Sequence, residues 1–414
     1  MEIKRDQYLN KLIVRKHNKL IKVITGLRRS GKTYLLFELF YRHLIESGVN
    51  SDHIIRIAFD DYRYRKYRNP DILFEYVESL MQDQNMYYLL FDEVQYVEHF
   101  EEVLSGFLHM NHCDVYVTGS NAKFLSKDVI TEFRGRGDQV HVYPLSFQEF
   151  FSVFQGTKEE AWNQFMVYGG LPAVALCQDE ESKRNMLKQI FEETYLMDIK
   201  ERYAIRNHEE FYELIEVCAS TIGSLINPIK LSNTFQSLKK IKISPQTITN
   251  YLEYLQEAFL ISCAKRYDVK GRKYISTPHK YYLSDAGIRN HISGYRQIEP
   301  THLMENIIYN ELIIRGYHVD VGVATIYGKD QNKKTQRNTY EIDFVCSKGS
   351  KKVYIQSAYL MESSDKVNQE LKSFRAIKDN NPKYVIEFYR SIRTENEEGI
   401  IFLGLFDFLL GNEL

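Results

Sequence analysis

Gly26-Leu27-Arg28-Arg29-Ser30-Gly31-Lys32-Thr33 decides the reading of this chain. The stretch has the form G-x-x-x-x-G-K-[ST]. It stands between the β-rich run Leu20-Ile21-Lys22-Val23-Ile24 and residues 33–44, whose apolar positions recur at helical spacing. The chemistry needs that context. Glycines let the backbone curl around a polyphosphate and present successive N–H groups, and the helix that follows adds the positive end of its dipole. Lys32 then bridges the outer phosphates and Thr33 ligates Mg²⁺. The predicted phosphate cradle comprises Gly26, Arg28, Arg29, Ser30, Gly31, Lys32, Thr33 and Tyr34, with Thr33 also a metal ligand.

Outward from this loop, β-rich runs at 53–59, 87–91, 114–118 and 139–143 alternate with helical spacing at 72–80 and 103–108. Such alternation predicts an α/β fold with a parallel, doubly wound sheet. Tyr87-Tyr88-Leu89-Leu90-Phe91 ends in Asp92-Glu93, which supplies the second half of a nucleotide site. Asp92 is expected to hold Mg²⁺ and Glu93 to polarise the attacking water. The next run, 115–118, leads into Gly119-Ser120-Asn121. If its strand lies between those carrying the two motifs, Ser120 or Asn121 reaches the outer phosphate. Arg134 and Arg136 flank Gly135 on a loop and are candidates for stabilising transition-state charge, in their own site or in that of a neighbouring copy. No [NT]-K-x-D guanine signature occurs, so the expected ligand is ATP with Mg²⁺.

The chain has 414 residues, 44% apolar and 26% charged, with a net charge of −1. This is a globular composition long enough for two to four domains at roughly 100–200 residues each. No apolar run reaches the ~18 residues of a membrane span, and no signal-peptide pattern follows the N-terminus. A cytoplasmic protein without membrane contact is expected. Cysteines 113, 177, 218, 263 and 346 are too scattered for a disulfide framework, and His109, His112 and Cys113 read as a polar helix end rather than a metal site.

After residue 144 the pattern turns helical as far as 224, broken at Gly169-Gly170-Leu171-Pro172. Residues 228–296 predict two helices and then a hairpin about 268–271, a winged-helix pattern, with Ser244-Pro245 opening the second helix. Residues 230–296 hold twelve Lys or Arg against four acids, an excess of eight in a nearly neutral chain. DNA contact is therefore expected here, with Thr247, Thr249, Asn250 and Glu253 facing a groove and Lys270, Arg272 and Lys273 meeting phosphates. The last segment predicts a helix at 303–315, strands at 340–346 and 353–359, a helix at 364–378 and a strand at 383–388. A polar loop is expected between 328 and 339.

At the phosphate loop, Asp92-Glu93-Val94-Gln95, Thr118-Gly119-Ser120-Asn121, Gly135-Arg136, Pro144-Leu145-Ser146-Phe147, Gly169-Gly170-Leu171-Pro172 and Lys280-Tyr281-Tyr282-Leu283-Ser284-Asp285, the chain resembles the prokaryotic AAA-like ATPases fused to a C-terminal domain of uncharacterised role. The resemblance implies a P-loop ATPase core (1–150), a helical connection (151–225), a winged helix (226–297) and a PD-(D/E)xK nuclease-like, restriction-endonuclease-like α/β domain (298–414). In that nuclease pattern a helix acid (Glu305 or Glu311), Asp343 and Gln356 would bind Mg²⁺, but Ala358 stands where the activating lysine belongs. Nuclease activity is therefore not expected unless a lysine arrives from elsewhere, Lys352 and Lys366 being the candidates. The reading reached is an ATP-binding and hydrolysing switch coupled to a DNA-contacting module, with a homo-oligomer admitted. The alternative is a nucleotide-dependent binding module, or a regulator of a toxin or defence effector, with negligible turnover.

Overall fold

The computed structural model describes residues 2–119, 133, 135–240, 242–296, 298–329, 335–361 and 364–411. Its N-terminal part is built on β1 (Ile21–Gly26), β2 (Ile54–Ala58), β3 (Tyr87–Asp92), β4 (Cys113–Thr118) and β5 (Gly137–Val142), all parallel in the order β2-β3-β4-β1-β5. Side chains of a strand alternate between faces, so each face needs its own cover. Ile21, Val23, Leu89, Phe91, Val115 and Val117 pack with the helices Pro70–Leu80 and Phe100–His109. Ile24, Tyr88, Leu90 and Tyr116 face the other way, toward the helix Asp6–Val14 and the helical run that follows the phosphate loop. This is the doubly wound arrangement expected from the alternation. Parallel strands also place all their C-terminal ends on one edge, where the phosphate loop, Asp92 and Thr118 meet.

A second, nine-stranded sheet takes in β6 (Leu225–Ile226), β7 (Ile261–Asp268), β8 (Lys273–Leu283), β9 (His318–Lys329), β10 (Thr335–Lys348), β11 (Lys351–Ala358), β12 (Lys383–Glu387), β13 (Thr394–Glu395) and β14 (Ile400–Gly404), in the order β13-β14-β12-β11-β10-β9-β7-β8-β6. The β7–β8 hairpin falls where expected. It is not a free wing, however: β7 pairs with β9 from Arg266↔Val321 to Asp268↔Val323, and Val269 at the tip is buried against terminal-domain residues. Part of the segment expected as a polar loop is also strand, since Gly328–Lys329 and Thr335–Thr339 lie in β9 and β10 and pair antiparallel. Ladder hydrogen bonds join backbones, so a hairpin extension needs no apolar alternation to announce it.

Helices dominate residues 147–220, and the first two of them start at capping boxes, Ser146/Glu149 and Thr157/Glu160. One core runs from these helices through the β7–β8 hairpin to Leu409. A single carboxylate joins two of the quoted motifs. Asp285 accepts hydrogen bonds from Gly170 N at 2.7 Å and Ile288 N at 3.0 Å, capping the helix Ala286–Ile292. A Cβ on Gly169 would lie 2.2 Å from Asp285 Oδ1. Glycine is required there by this close approach, and Pro172 is thereby held beside the phosphate loop.

Candidate nucleotide site

The loop after β1 closes tightly over β5. A Cβ on Gly26, at φ +139°, would stand 2.1 Å from the Val142 carbonyl oxygen, and Gly31 turns into the helix at φ +93°. Lys32 follows and is buried. Its ammonium donates to the carbonyls of Gly26 and Leu27 at 3.1 Å each, and burial lowers its pKa to about 8, against the pull of Glu93 and Asp92. Ser30 Oγ is buried without a hydrogen-bond partner among the described residues. An orphaned hydroxyl and a cation capping its own loop carbonyls are groups that an incoming phosphate would satisfy.

Thr33 Oγ1 donates to Asp92 Oδ2 at 2.9 Å and lies 3.1 Å from Oδ1, so a hydroxyl and a carboxylate converge. That oxygen set fits Mg²⁺. Burial raises the Asp92 pKa to about 6, with Thr118 opposing the shift by donating to the same carboxylate. Glu93 adopts a left-handed backbone at φ +54°, its N–H bonds Thr118 Oγ1 at 3.1 Å, and its carboxylate accepts from Gln95 Nε2. A non-glycine residue in that region is strained, and such strain gathers at functional positions. Lys32, Thr33, Asp92, Glu93 and Gln95 line a cleft of about 390 Å³ that Arg28, Arg29 and Tyr34 also border.

The helical segment closes the cleft. Pro172, Ala173 and Asp198 line it, and Arg28 Nη1 pairs with Asp198 Oδ2 at 2.6 Å. Sequence reasoning passed over these three, along with Asp60, Gln95 and Thr118. Thr118 and Gln95 lay inside motifs already quoted, so adjacency to the chosen residues was the available signal. Nothing local marks Asp198, which is brought in from 170 residues beyond Arg28.

Residues 18–151 match a family described as an AAA domain, and residues 159–299 match a domain of unknown function (DUF8612). An uncharacterized protein of Haemophilus influenzae is 33% identical over 415 residues, covering 99% of this chain and 98% of that one. The chain belongs to this AAA-domain family. Another relative, an uncharacterized protein of Methanocaldococcus jannaschii, is 32% identical over 372 residues, 87% of this chain and 79% of that one. Among solved structures, C. elegans PCH-2 overlaps 60% of this chain and 62% of its own at 17% identity with a TM-score of 0.25. A DNA replication initiation factor overlaps 72% and 92% at 14% identity with a TM-score of 0.27. Overlaps this slight add nothing to the reading.

In this AAA ATPase, β4 does lie between β3 and β1, as the roles of Ser120 and Asn121 required. Those two residues and Arg134 lie outside the described residues. Arg136 is at the wrong end for its own site. Its carbonyl accepts from Ile21 N at 2.9 Å, where β1 begins, and its guanidinium donates to Ser105. Five strand residues separate that point from Gly26, about 16 Å. The cis role is corrected accordingly, and only action on a neighbouring copy remains open to Arg136. No helix among the described residues is long and apolar enough to cross a membrane.

In the C-terminal half the structure separates the two helix acids. Glu305 lies 3.0 Å from Lys280 Nζ beside Asp343, whereas Glu311 pairs with Arg315 at 2.7 Å. Six residues along a helix turn about 120° away from the first face, so one acid alone can meet Asp343. Lys352 lies over the rings of Tyr267 and Tyr354 and takes no part, and the side chain of Lys366 lies outside the described residues. The lysine that does arrive is Lys280, from β8. In the basic module, Lys270 Nζ is engaged by the Thr325 carbonyl at 3.0 Å, and Lys239 pairs with Glu213. Arg272 and Lys273 are exposed.

Proposed function

We propose that this AAA ATPase hydrolyses ATP with Mg²⁺ and uses the cycle as a switch on its C-terminal half. The convergence of Lys32, Thr33, Asp92 and Glu93 on one cleft carries the reading. Mg²⁺, when bound, supplies positive charge between the outer phosphates. Lys32 leaves its loop carbonyls for the β and γ phosphates, the loop N–H groups hold the chain of phosphates, and Thr33 and Asp92 provide the oxygen ligands. Glu93 takes the proton of the attacking water. One of its oxygens accepts from Gln95 here, an engagement that favours, as the second reading, a nucleotide-dependent binding module with negligible turnover. Ser120, Asn121 and Arg134 keep their assigned roles near the γ-phosphate, and Arg136 acts on the site of a neighbouring copy in a homo-oligomer.

The division at 150, 225 and 297, the cytoplasmic setting and DNA contact through residues 230–296 belong to the same proposal. Support for DNA contact comes from the excess of eight positive charges and the exposure of Lys242, Arg272 and Lys273. The deciding experiment measures nucleotide affinity and phosphate release. Lys32→Ala should lose binding, whereas Glu93→Gln should keep binding and lose turnover by roughly 10²–10⁴-fold. Equal loss of binding in both would make Glu93 structural and end the hydrolytic assignment.

A further inference from the structure

The nuclease-like pattern implies a divalent cation between Glu305, Asp343 and Gln356, and the side chains present do not fit one. Lys280, 4% exposed, sends its ammonium from β8 to the point where the acids converge: 3.0 Å from Glu305 Oε1, 2.9 Å from Glu341 Oε1 and 3.8 Å from Asp343 Oδ1. Several of the oxygens a metal would use are already engaged. Glu305 Oε1 also accepts from Tyr282 Oη at 2.7 Å, and Asp343 Oδ2 accepts from Ser357 N at 2.9 Å. Gln356 Oε1 accepts from Asp343 N at 3.4 Å while its Nε2 donates to Glu370 at 3.1 Å. Among the described residues no group of three His, Cys, Asp or Glu side chains is disposed to hold a metal ion.

We propose that Lys280 is the built-in counter-cation of the terminal domain: its ammonium takes the divalent ion's place among Glu305, Glu341 and Asp343 and latches the β7–β8 hairpin to the helix Pro300–Ile314 and to β10. The charge balance explains why it stays. Burial lowers the pKa of Lys280, but Glu305, Asp343 and Glu341 more than offset it and hold the ammonium charged, while burial and the charge of Glu305 push the Asp343 carboxyl upward. A second cation placed among these oxygens would meet the ammonium at close range in a poorly solvated site. Removing the ammonium leaves Glu305 and Asp343 buried without a counter-charge, a more severe change than removing the whole cluster. The hairpin that carries Lys280 is also the one whose other strand, β7, pairs with β9, so ladder and ion cluster join the same two parts of the chain. The latch is independent of ATP hydrolysis and stands or falls separately from it.

The test uses the nucleotide-free full chain and Mn²⁺ as the probe. Electron paramagnetic resonance should find the same Mn²⁺ uptake in wild type and Asp343→Asn. Lys280→Met should melt on the order of 10 °C below wild type. It should recover part of that loss with millimolar Mn²⁺, and the recovery should be absent from Lys280→Met/Asp343→Asn. One more equivalent of Mn²⁺ bound by wild type than by Asp343→Asn would overturn the proposal, as would Lys280→Met melting like wild type. If Lys280→Met does not fold, the wild-type comparison still decides the metal question. In that case Lys280→Arg, which keeps the charge, should fold and remain indifferent to Mn²⁺, and a Mn²⁺-dependent rise in its melting temperature would count against the latch.

Discussion

Asp285→Ala should loosen the nucleotide cleft without touching any group that faces nucleotide. The carboxylate caps the helix Ala286–Ile292 through Ile288 N and holds Gly170 N, so its loss removes a helix cap worth about 1 kcal/mol. It also leaves a buried N–H of the Gly169-Gly170 turn unsatisfied, which costs about 1–3 kcal/mol. The sum is roughly 2–4 kcal/mol. Asp285→Asn keeps one acceptor oxygen and removes a charge whose burial raises its pKa to about 6, but Gly170 N and Ile288 N bond different carboxylate oxygens, so the amide NH₂ faces one of the two donors and about half of that cost should remain. Because the same turn presents Pro172 and Ala173 to the cleft, ATP affinity should fall with stability in Asp285→Ala and fall less in Asp285→Asn. Urea unfolding and a fluorescent-nucleotide titration on the same preparations would read both quantities. An Asp285→Ala protein within about 0.5 kcal/mol of wild type would refute the reasoning, since a buried acceptor for two backbone donors cannot be that dispensable.

Three further outcomes are expected. Mg²⁺-dependent ATP affinity should fall as pH drops through about 6, because protonation of Asp92 removes the metal-facing charge, while Mg²⁺-independent affinity changes less; a flat profile from pH 5 to 8 would remove Asp92 from the metal site. Mixing inactive Arg136→Ala with inactive Glu93→Gln should restore part of the ATPase rate through mixed oligomers, and a chain that stays monomeric with ATP by light scattering would rule the trans role out. Arg272→Glu/Lys273→Glu should weaken DNA binding across sequences and flatten its salt dependence, with Lys270→Glu adding less because Lys270 is held by Thr325. Unchanged affinity in fluorescence anisotropy would move the contact away from the hairpin.

The phosphate loop, Asp92-Glu93 and the alternation of the first 150 residues were legible because their signals are local. A phosphate cradle is made by consecutive backbone N–H groups, glycine sits where φ must be positive, and a strand buried on both faces is apolar throughout. That Asp92 and Thr118 reach the same edge as Thr33 also follows from that pattern, since parallel strands deliver their C-terminal ends to one edge, whereas the order that sets β4 between β3 and β1 came from the tertiary structure. What only the tertiary structure decided lies in partners far apart along the chain. Asp285 meets Gly170 across 115 residues, Lys280 meets Glu305 across 25 and Asp343 from a different strand, and Asp198 reaches Arg28 across 170. Composition gives such pairs no periodicity, and a buried lysine on a strand looks like any other basic residue until its neighbours are known. Arg136 shows the same limit from the other side. Its place on a glycine-flanked loop suggested a role at the phosphates, yet the parallel register carries it to the opposite edge of the sheet, because the start and the end of one strand lie a full strand length apart.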